Sequence, residues 1–405
     1  MTQKGRNVAC YCGSMKKHKK CCYRKDEKQK DMIVYSKFSV LSDPRDNRGK
    51  RYELMDLFVM TIYGVLNGYD DFDNLAYWLE QNASYFKNLL LIEKTPSHDC
   101  LSDIFSMIDP KEFMEIFIEW VSEILESRTG TIIAIDGKAI KSARDKISGG
   151  NTPYILSAYL SELGISIGQV EVEKKSNEIK AIPDLLDLLD ITDCYITIDA
   201  MGTQDDIAKK IISLNGHFVL KVKGNQPTLC NDLTSYFKDN INVSKDITMR
   251  ETDFEKNHGR EEYREYYLSS DTRCITNKKK WSMVSSIGMI RVYRKEYGEL
   301  KISDHFYIMD TDLNIEMFMK ATRSHWNIEC GLHWRLDVIL NEDRSRNRVQ
   351  HSISNLSIIR KIVFNLVRMD NSFGKLTFEK KMTKYKSDFS YIENLIFNVI
   401  PKISF

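Results

Sequence analysis

The chain has 405 residues, of which 42% are hydrophobic and 29% charged, enough to bury a sizeable core and to hold two or three structural units. Its apolar stretches are broken by charges well short of the ~18 residues a membrane helix needs, and its first residues are basic and polar. Membrane-spanning and secreted classes are thereby excluded and a cytoplasmic setting is expected, while a net charge of +2 means that any nucleic-acid surface must be local.

Residues 1–30 form a basic leader, with ten Lys and Arg against Asp26 and Glu27. Four of the nine cysteines, Cys10, Cys12, Cys21 and Cys22, fall within thirteen residues of it. Four soft ligands in a reducing compartment suit a closed tetrahedral zinc site able to order a segment too small to fold alone. The cluster resembles the SEC-C motif, with Met15 where glycine is usual; the other reading is a leader whose thiols stay free. Cys100, Cys194, Cys230, Cys274 and Cys330 are scattered singly and read as buried thiols.

Residues 31–127 read as a helical domain, with apolar positions at helical spacing over 52–66, a turn at Asn67-Gly68-Tyr69-Asp70-Asp71, a second helix over 72–91 and a start signal at Pro96-Ser97. From 131 to 225 strands and helices alternate: strands near 131–136, 154–160, 166–173, 194–199 and 217–222, with helices near 181–189 and 203–213, an α/β pattern. Over 227–310 short aromatic and β-branched strands at 262–268, 281–293 and 303–309 predict a β-rich insertion domain. Helices are predicted over 312–340 and 351–369, followed by a weakly patterned tail at 371–405.

Three carboxylates stand out. Asp136 closes the run Thr131-Ile132-Ile133-Ala134-Ile135, and Asp199 closes Cys194-Tyr195-Ile196-Thr197-Ile198; both runs read as buried central strands. Glu329 lies in the predicted 312–340 helix, at the edge of an apolar arc of Ile328, Leu332, Leu336, Ile339 and Leu340. Acids at the ends of buried strands are costly until cations neutralise them, so the trio suits two magnesium ions, with Mn²⁺ as a substitute, at a phosphodiester. His325 and His333, eight residues apart, are about 12 Å apart along a helix and too distant to share one ion. His325 is expected to meet phosphate or to order the glutamate, and His333 to be packed.

Several motifs occur together: Asp43-Pro44-Arg45-Asp46, Pro96-Ser97-His98-Asp99, Ile135-Asp136-Gly137-Lys138, Lys175-Ser176-Asn177-Glu178-Ile179, Thr197-Ile198-Asp199-Ala200-Met201, Lys223-Gly224-Asn225-Gln226, His258-Gly259-Arg260 and Arg323-Ser324-His325-Trp326-Asn327-Ile328-Glu329. In order and spacing, over about residues 35–370, they resemble the ISAs1 family of insertion-sequence transposases, of the DDE type, also known through H-repeat-associated proteins. The resemblance implies an RNase H-like core over 128–226 and 311–370, with Asp136, Asp199 and Glu329 as the metal-binding acids, and identifies 227–310 with the insertion domain of the IS4-like group. His325 and Leu336 depart from the arginine and lysine of that group's signature, Arg323 being a candidate substitute for the first, and Cys330 replaces a usual asparagine.

Strand cleavage and strand transfer at terminal inverted repeats then follow as one chemistry with two nucleophiles, water and a DNA 3′-hydroxyl. Lys138, Lys223 and Asn225 are candidate phosphate contacts at the carboxyl edge of the sheet. His258, Arg260 and Arg264 are candidates to grip a DNA end, and Arg344, Arg346 and Arg348 suit a strip of phosphate contacts, or a salt-bridged loop with Glu342 and Asp343; with Arg360, Lys361 and Arg368 these arginines mark a second basic segment, read as a solvated or DNA-facing surface. Trp281 stacks an extruded base or sits in the core. The helical domain is the candidate reader of DNA ends. The partners implied are double-stranded DNA at element ends and target, and a homodimer in the synaptic complex, in a bacterial cytoplasm with nucleoid association on DNA. Rival readings are an RNase H-like nuclease without strand transfer and a catalytically inactive or domesticated DNA-binding protein.

Overall fold

The computed structural model describes residue 17 and residues 32–397, apart from 47, 49, 126–127, 141–151, 173–177, 253, 258–259, 297–298 and 348. Cys10, Cys12, Cys21 and Cys22, and with them the expected zinc site, lie outside the described residues, as do His258 and Arg348. In chain order the first helices are α1 (Ile33–Phe38), α2 (Leu54–Asn67), α3 (Phe72–Gln81), α4 (Ala83–Leu90), α5 (His98–Met107) and α6 (Pro110–Ile124). Strands β1 (Ile132–Ala139), β2 (Tyr154–Leu160) and β3 (Ile165–Val172) follow, then α7 (Glu178–Leu188), β4 (Tyr195–Ile198), α8 (Asp205–Ser213), β5 (His217–Val222) and α9 (Pro227–Asn240). After β6 (Ile247–Glu251), β7 (Glu255–Asn257), β8 (Arg260–Ser269), β9 (Ser286–Glu296) and β10 (Glu299–Met309) come α10 (Ile315–Asn327), α11 (Ser352–Met369), α12 (Phe378–Ser387) and α13 (Phe389–Phe397). Among the described residues no helix is long and apolar enough to cross a membrane.

The chain divides into two compact units, Met1–Glu126 with Ile140–Pro153 and Trp334–Phe405, and Ser127–Ala139 with Tyr154–His333. The first unit is helical. Its helices begin where polar side chains satisfy free backbone amides: Ser97 Oγ accepts from the Cys100 amide at 3.3 Å, and Asp109 caps α6 ahead of Pro110. Residues 54–66 of α2 are buried throughout, and α2 packs against α1, α3, α11 and α12. The tail, weakly patterned in sequence, forms α12 and α13 and joins this packing.

One sequence expectation fails in α11. Arg360 and Lys361, read from the sequence as part of a basic surface segment, are 2% and 1% exposed. Arg360 Nε donates to the Leu340 carbonyl at 3.2 Å and its Nη2 to that of Asp70 at 3.1 Å, with Glu342, itself buried, as counter-charge. Lys361 Nζ donates to Ser357 Oγ at 3.2 Å. These cations hold helices together and do not face solvent.

The second unit is built on a ten-stranded sheet of order β3-β2-β1-β4-β5-β10-β9-β8-β6, with β7 on β8. Strands β1, β4 and β5 are mutually parallel; β2 runs antiparallel to β1, and β3 antiparallel to β2. The stretch expected as a separate insertion domain continues this same sheet, because β10 pairs directly with β5 from Phe306↔Val222 to Met309↔Val219. Helix α10, capped by the Asn314 side chain on the Met317 amide at 2.8 Å, packs on β1, β4, β5, β6 and β8. Ile132, Val219, Tyr266, Ile290 and Tyr307 form one core with Phe318 and Ala321 of that helix. The predicted 312–340 helix changes character: Ile328–His333 and Arg335–Ile339 are π-helical. Ile328, Leu332, Leu336 and Leu340 are all buried, and an apolar spacing of four suits a turn wider than the 3.6 residues of an α-helix.

Candidate active site

Strand alternation decides which side chains meet. Successive residues of a strand point to opposite faces, and neighbours in register on parallel strands share a face. Ala134 pairs with Thr197, and Thr197 with Val219, a member of the core under α10. The next residues on that face are Asp136 on β1, Asp199 just past β4, and Lys221 on β5. Asp199 keeps an extended backbone (φ −62°, ψ 171°), so it stays in this row at the carboxyl ends of three parallel strands. Its Oδ1 accepts from the Gly202 amide at 3.1 Å, fixing the carboxylate over a short 3₁₀ turn.

Glu329 approaches from the α10 side, in the first π-helical turn. Gly331 allows this approach: a Cβ there would lie 2.6 Å from the Tyr159 hydroxyl of β2. The Glu329 carboxyl is pushed above its ordinary value, first by desolvation and then by the charge of Asp136, while His333 and Lys221 oppose the rise. His333 is buried with its Nδ1 3.4 Å from Asp136 Oδ2, so it belongs to the site and is more than packing. His325 has its Nδ1 sealed from solvent without a hydrogen-bond partner. Desolvation pushes its imidazole down, against the pull of Asp136 and Asp199 and a hydrogen bond to the Thr197 backbone.

Behind β1, on the opposite face, Tyr154 donates to the buried Glu178 at 3.1 Å. Gly137 is required here: a Cβ would lie 2.2 Å from the Tyr154 ring and 2.7 Å from Glu178 Oε1. The Tyr154 hydroxyl is pushed up by desolvation and by Glu178, and it also feels Asp136 and Asp199.

The remaining candidates scatter. Lys138 is the next residue after Asp136 on the same face and is half-buried, and Lys223 stands exposed beyond Lys221. Asn225 donates to the Ala200 carbonyl at 2.6 Å, tying the loop after β5 to the residue that follows Asp199. Arg323 pairs with Glu255 at 2.7 Å, Arg264 pairs with Glu262, and Arg260 begins β8. Arg344 and Arg346 are exposed in the first unit. Trp281 is 3% exposed and lies in the turn before β9, with Lys280 Nζ 5.3 Å from its ring centre, so it is a core residue and not a stacking platform. Lys221, Tyr154 and the Asp136 contact of His333 escaped sequence reading, because each depends on register between distant strands.

Three carboxylates are hard oxygen donors of the kind Mg²⁺ and Mn²⁺ take, and the upward push on Glu329 marks a place short of positive charge. Among the described residues, no group of three or more His, Cys, Asp and Glu is close enough together to hold a metal ion. The donor chemistry of Asp136 and Asp199, side by side on neighbouring strands, and of Glu329 fits a divalent ion.

Comparison with known proteins finds relatives over most of the chain. Residues 127–366 match the family described as Transposase DDE domain, and residues 35–121 match the DDE_Tnp_1-associated family. The chain is 33% identical over 368 residues to "H repeat-associated putative transposase YhhI" of Escherichia coli K12, covering 88% of this chain and 96% of that one. It is 34% identical over 365 residues to "Putative transposase YncI" of Escherichia coli O157:H7, covering 88% and 93%. The structure of the piggyBac transposase synaptic complex with hairpin DNA aligns at a TM-score of 0.42 and 12% identity, over 96% of this chain and 82% of that one, too loosely to carry an argument.

Proposed function

Because the chain belongs to the DDE transposase family, we propose that it cuts and joins DNA at the ends of an insertion sequence of the ISAs1 type, with Asp136, Asp199 and Glu329 as its metal-binding acids. The observation that carries this reading is the row of Asp136 and Asp199 on the α10 face, with Glu329 feeling the charge of Asp136 from above. The strand order β3-β2-β1-β4-β5, with β1, β4 and β5 parallel, supports an RNase H-like core.

Asp136, Asp199 and Glu329 would hold divalent cations, Mg²⁺ or Mn²⁺. When bound, such ions activate an attacking hydroxyl and stabilise the leaving oxygen of an in-line displacement. The chain's own residues supply the rest. The Gly202 amide holds the Asp199 carboxylate, and Asn225 holds the carbonyl of Ala200 that follows it. His333 lies against Asp136 and restricts its rotation. Burial pushes the His325 imidazole down, against the pull of Asp136 and Asp199, and so disfavours a further charge beside the row. Lys138 and Lys223, on the same face, would take phosphates on either side of the acids, and a dimer would bring two DNA ends together.

The test is strand transfer on a labelled duplex bearing the element's terminal repeat, in Mg²⁺, comparing the chain with Asp199→Asn. Joined products that vanish in the variant are expected. Metal-dependent cutting without joining would replace the reading with a nuclease, and binding without chemistry in either protein would replace it with a DNA-holding protein.

A further inference from the structure

Lys221 lies in the same cross-strand row as the two aspartates, one strand beyond Asp199. Ile198 pairs with Leu220, so the residue after each, Asp199 and Lys221, stands side by side on the α10 face. The position is rigid: the Lys221 carbonyl accepts from Thr203 Oγ1 at 2.6 Å, and on the far side Lys221 pairs with the buried Tyr307 of β10. At Lys221 the row passes from acids to a cation: toward β1 it interacts with Asp199 and Glu329, and along its own chain with Lys223. Lys223 stands two residues on, on the same face. His305 of β10, same-faced with Tyr307, is depressed to about 4 by burial and then by Lys221, Lys223 and Arg264.

We propose that Lys221 is a phosphate-binding residue of the active site, donating to a non-bridging oxygen of the phosphodiester that is cut. This rests on the reading of Asp136, Asp199 and Glu329 given above. A phosphodiester spreads its negative charge over two non-bridging oxygens. Seated over the boundary, it presents one toward the acids and their cations and the other toward Lys221, so the row of three residues spans a single phosphate. An ammonium so placed acts as a point charge from a fixed strand, complementary to the extra charge of the transition state.

The experiment uses the full chain as wild type, Lys221→Met, Lys221→Arg and Asp199→Asn, with three readouts: Mn²⁺ binding by calorimetry without DNA, affinity for the terminal-repeat duplex, and strand cleavage. Lys221→Met is expected to unfold at the wild-type temperature and to bind the duplex within about threefold of wild type, since many phosphate contacts share that affinity. Its cleavage should fall by about 10²-fold, the usual cost of one lost transition-state donor, and Lys221→Arg should regain about tenfold of that. Its affinity for Mn²⁺ should rise several-fold, because a positive charge has left the neighbourhood of the acids, an effect a merely structural lysine would not produce. Wild-type cleavage by Lys221→Met, with Asp199→Asn inactive, overturns the assignment of Lys221 alone. Equal losses in the Met and Arg variants with weakened Mn²⁺ binding also overturn it, in favour of a structural role. If the wild-type chain shows no metal-dependent cleavage, the reading of the acids fails, and the assignment of Lys221 falls with it; unchanged Mn²⁺ affinity in Lys221→Met then shows as well that Lys221 lies apart from the acids.

Discussion

Two regions of this molecule gather charge, and they do so in opposite ways. Around α11, Arg360 is enclosed, yet its guanidinium meets two carbonyls and has Glu342 as counter-charge. Around β1 and β4, acids of the same sign are set side by side, Glu329 is pushed up by Asp136, and His325 keeps a buried nitrogen without a partner. The first arrangement sets a cation against an acid and backbone carbonyls, the second sets like charges side by side, and that difference separates a scaffold from a candidate site.

Substitutions should separate the two cleanly. Asp199→Asn is expected to lower strand cleavage by about 10³-fold or more, the loss of several kcal/mol of charge stabilisation, while the unfolding temperature holds. A variant that unfolded instead would erase the contrast. Arg360→Met should do the reverse in kind: it leaves Glu342 buried without its cation and costs about 3–5 kcal/mol in denaturant unfolding. Trp281→Ala is expected to cost about 3–5 kcal/mol of stability with duplex affinity retained by the folded fraction; affinity lost without stability would restore the stacking role.

Smaller effects sharpen the comparison. Gly137→Ala forces a methyl group against Tyr154 and Glu178 and should destabilise by about 1–3 kcal/mol, with cleavage falling as β1 shifts under Asp136. The smallest effect concerns Glu329. Its folded value lies above its ordinary one, so between the two the folded chain binds more protons than the unfolded chain, and stability falls as pH rises through that window. In chelator, Glu329→Gln should therefore flatten the dependence just above the ordinary carboxylate range and stabilise the chain at neutral pH by ~0.5 kcal/mol or less, since solvent screens the group. Thermal melts from acid to neutral pH check both.

The parts of the fold fixed by short-range pattern were legible. The runs ending in Asp136 and Asp199 are strands, Ser97 caps a helix, and the alternation from 131 to 222 matches β1–β5 and their helices. What depended on distant partners was not. Nothing local tells Lys221 from Lys223; the difference arises because β4 and β5 align Asp199 with one and leave the other beyond the strand end. Arg360 and Lys361 looked like surface cations because the carbonyls that receive Arg360 come from Leu340 and Asp70, far off in sequence. The wide turn at Glu329 had a legible trace, the apolar spacing of four from Ile328 to Leu340, which an assumed period of 3.6 absorbed as an ordinary helix edge.

The direct pairing of β10 with β5 has a mechanical consequence. Strands β10, β9 and β8 are not an arm on a hinge but further planks of one plate, each about 4.8 Å from the next. Counting across from β4, whatever β8 grips is held about 19 Å from the strand that ends at Asp199, a length set by four strand spacings. The sheet thus sets one fixed spacing between the strand that ends at Asp199 and the far strand β8.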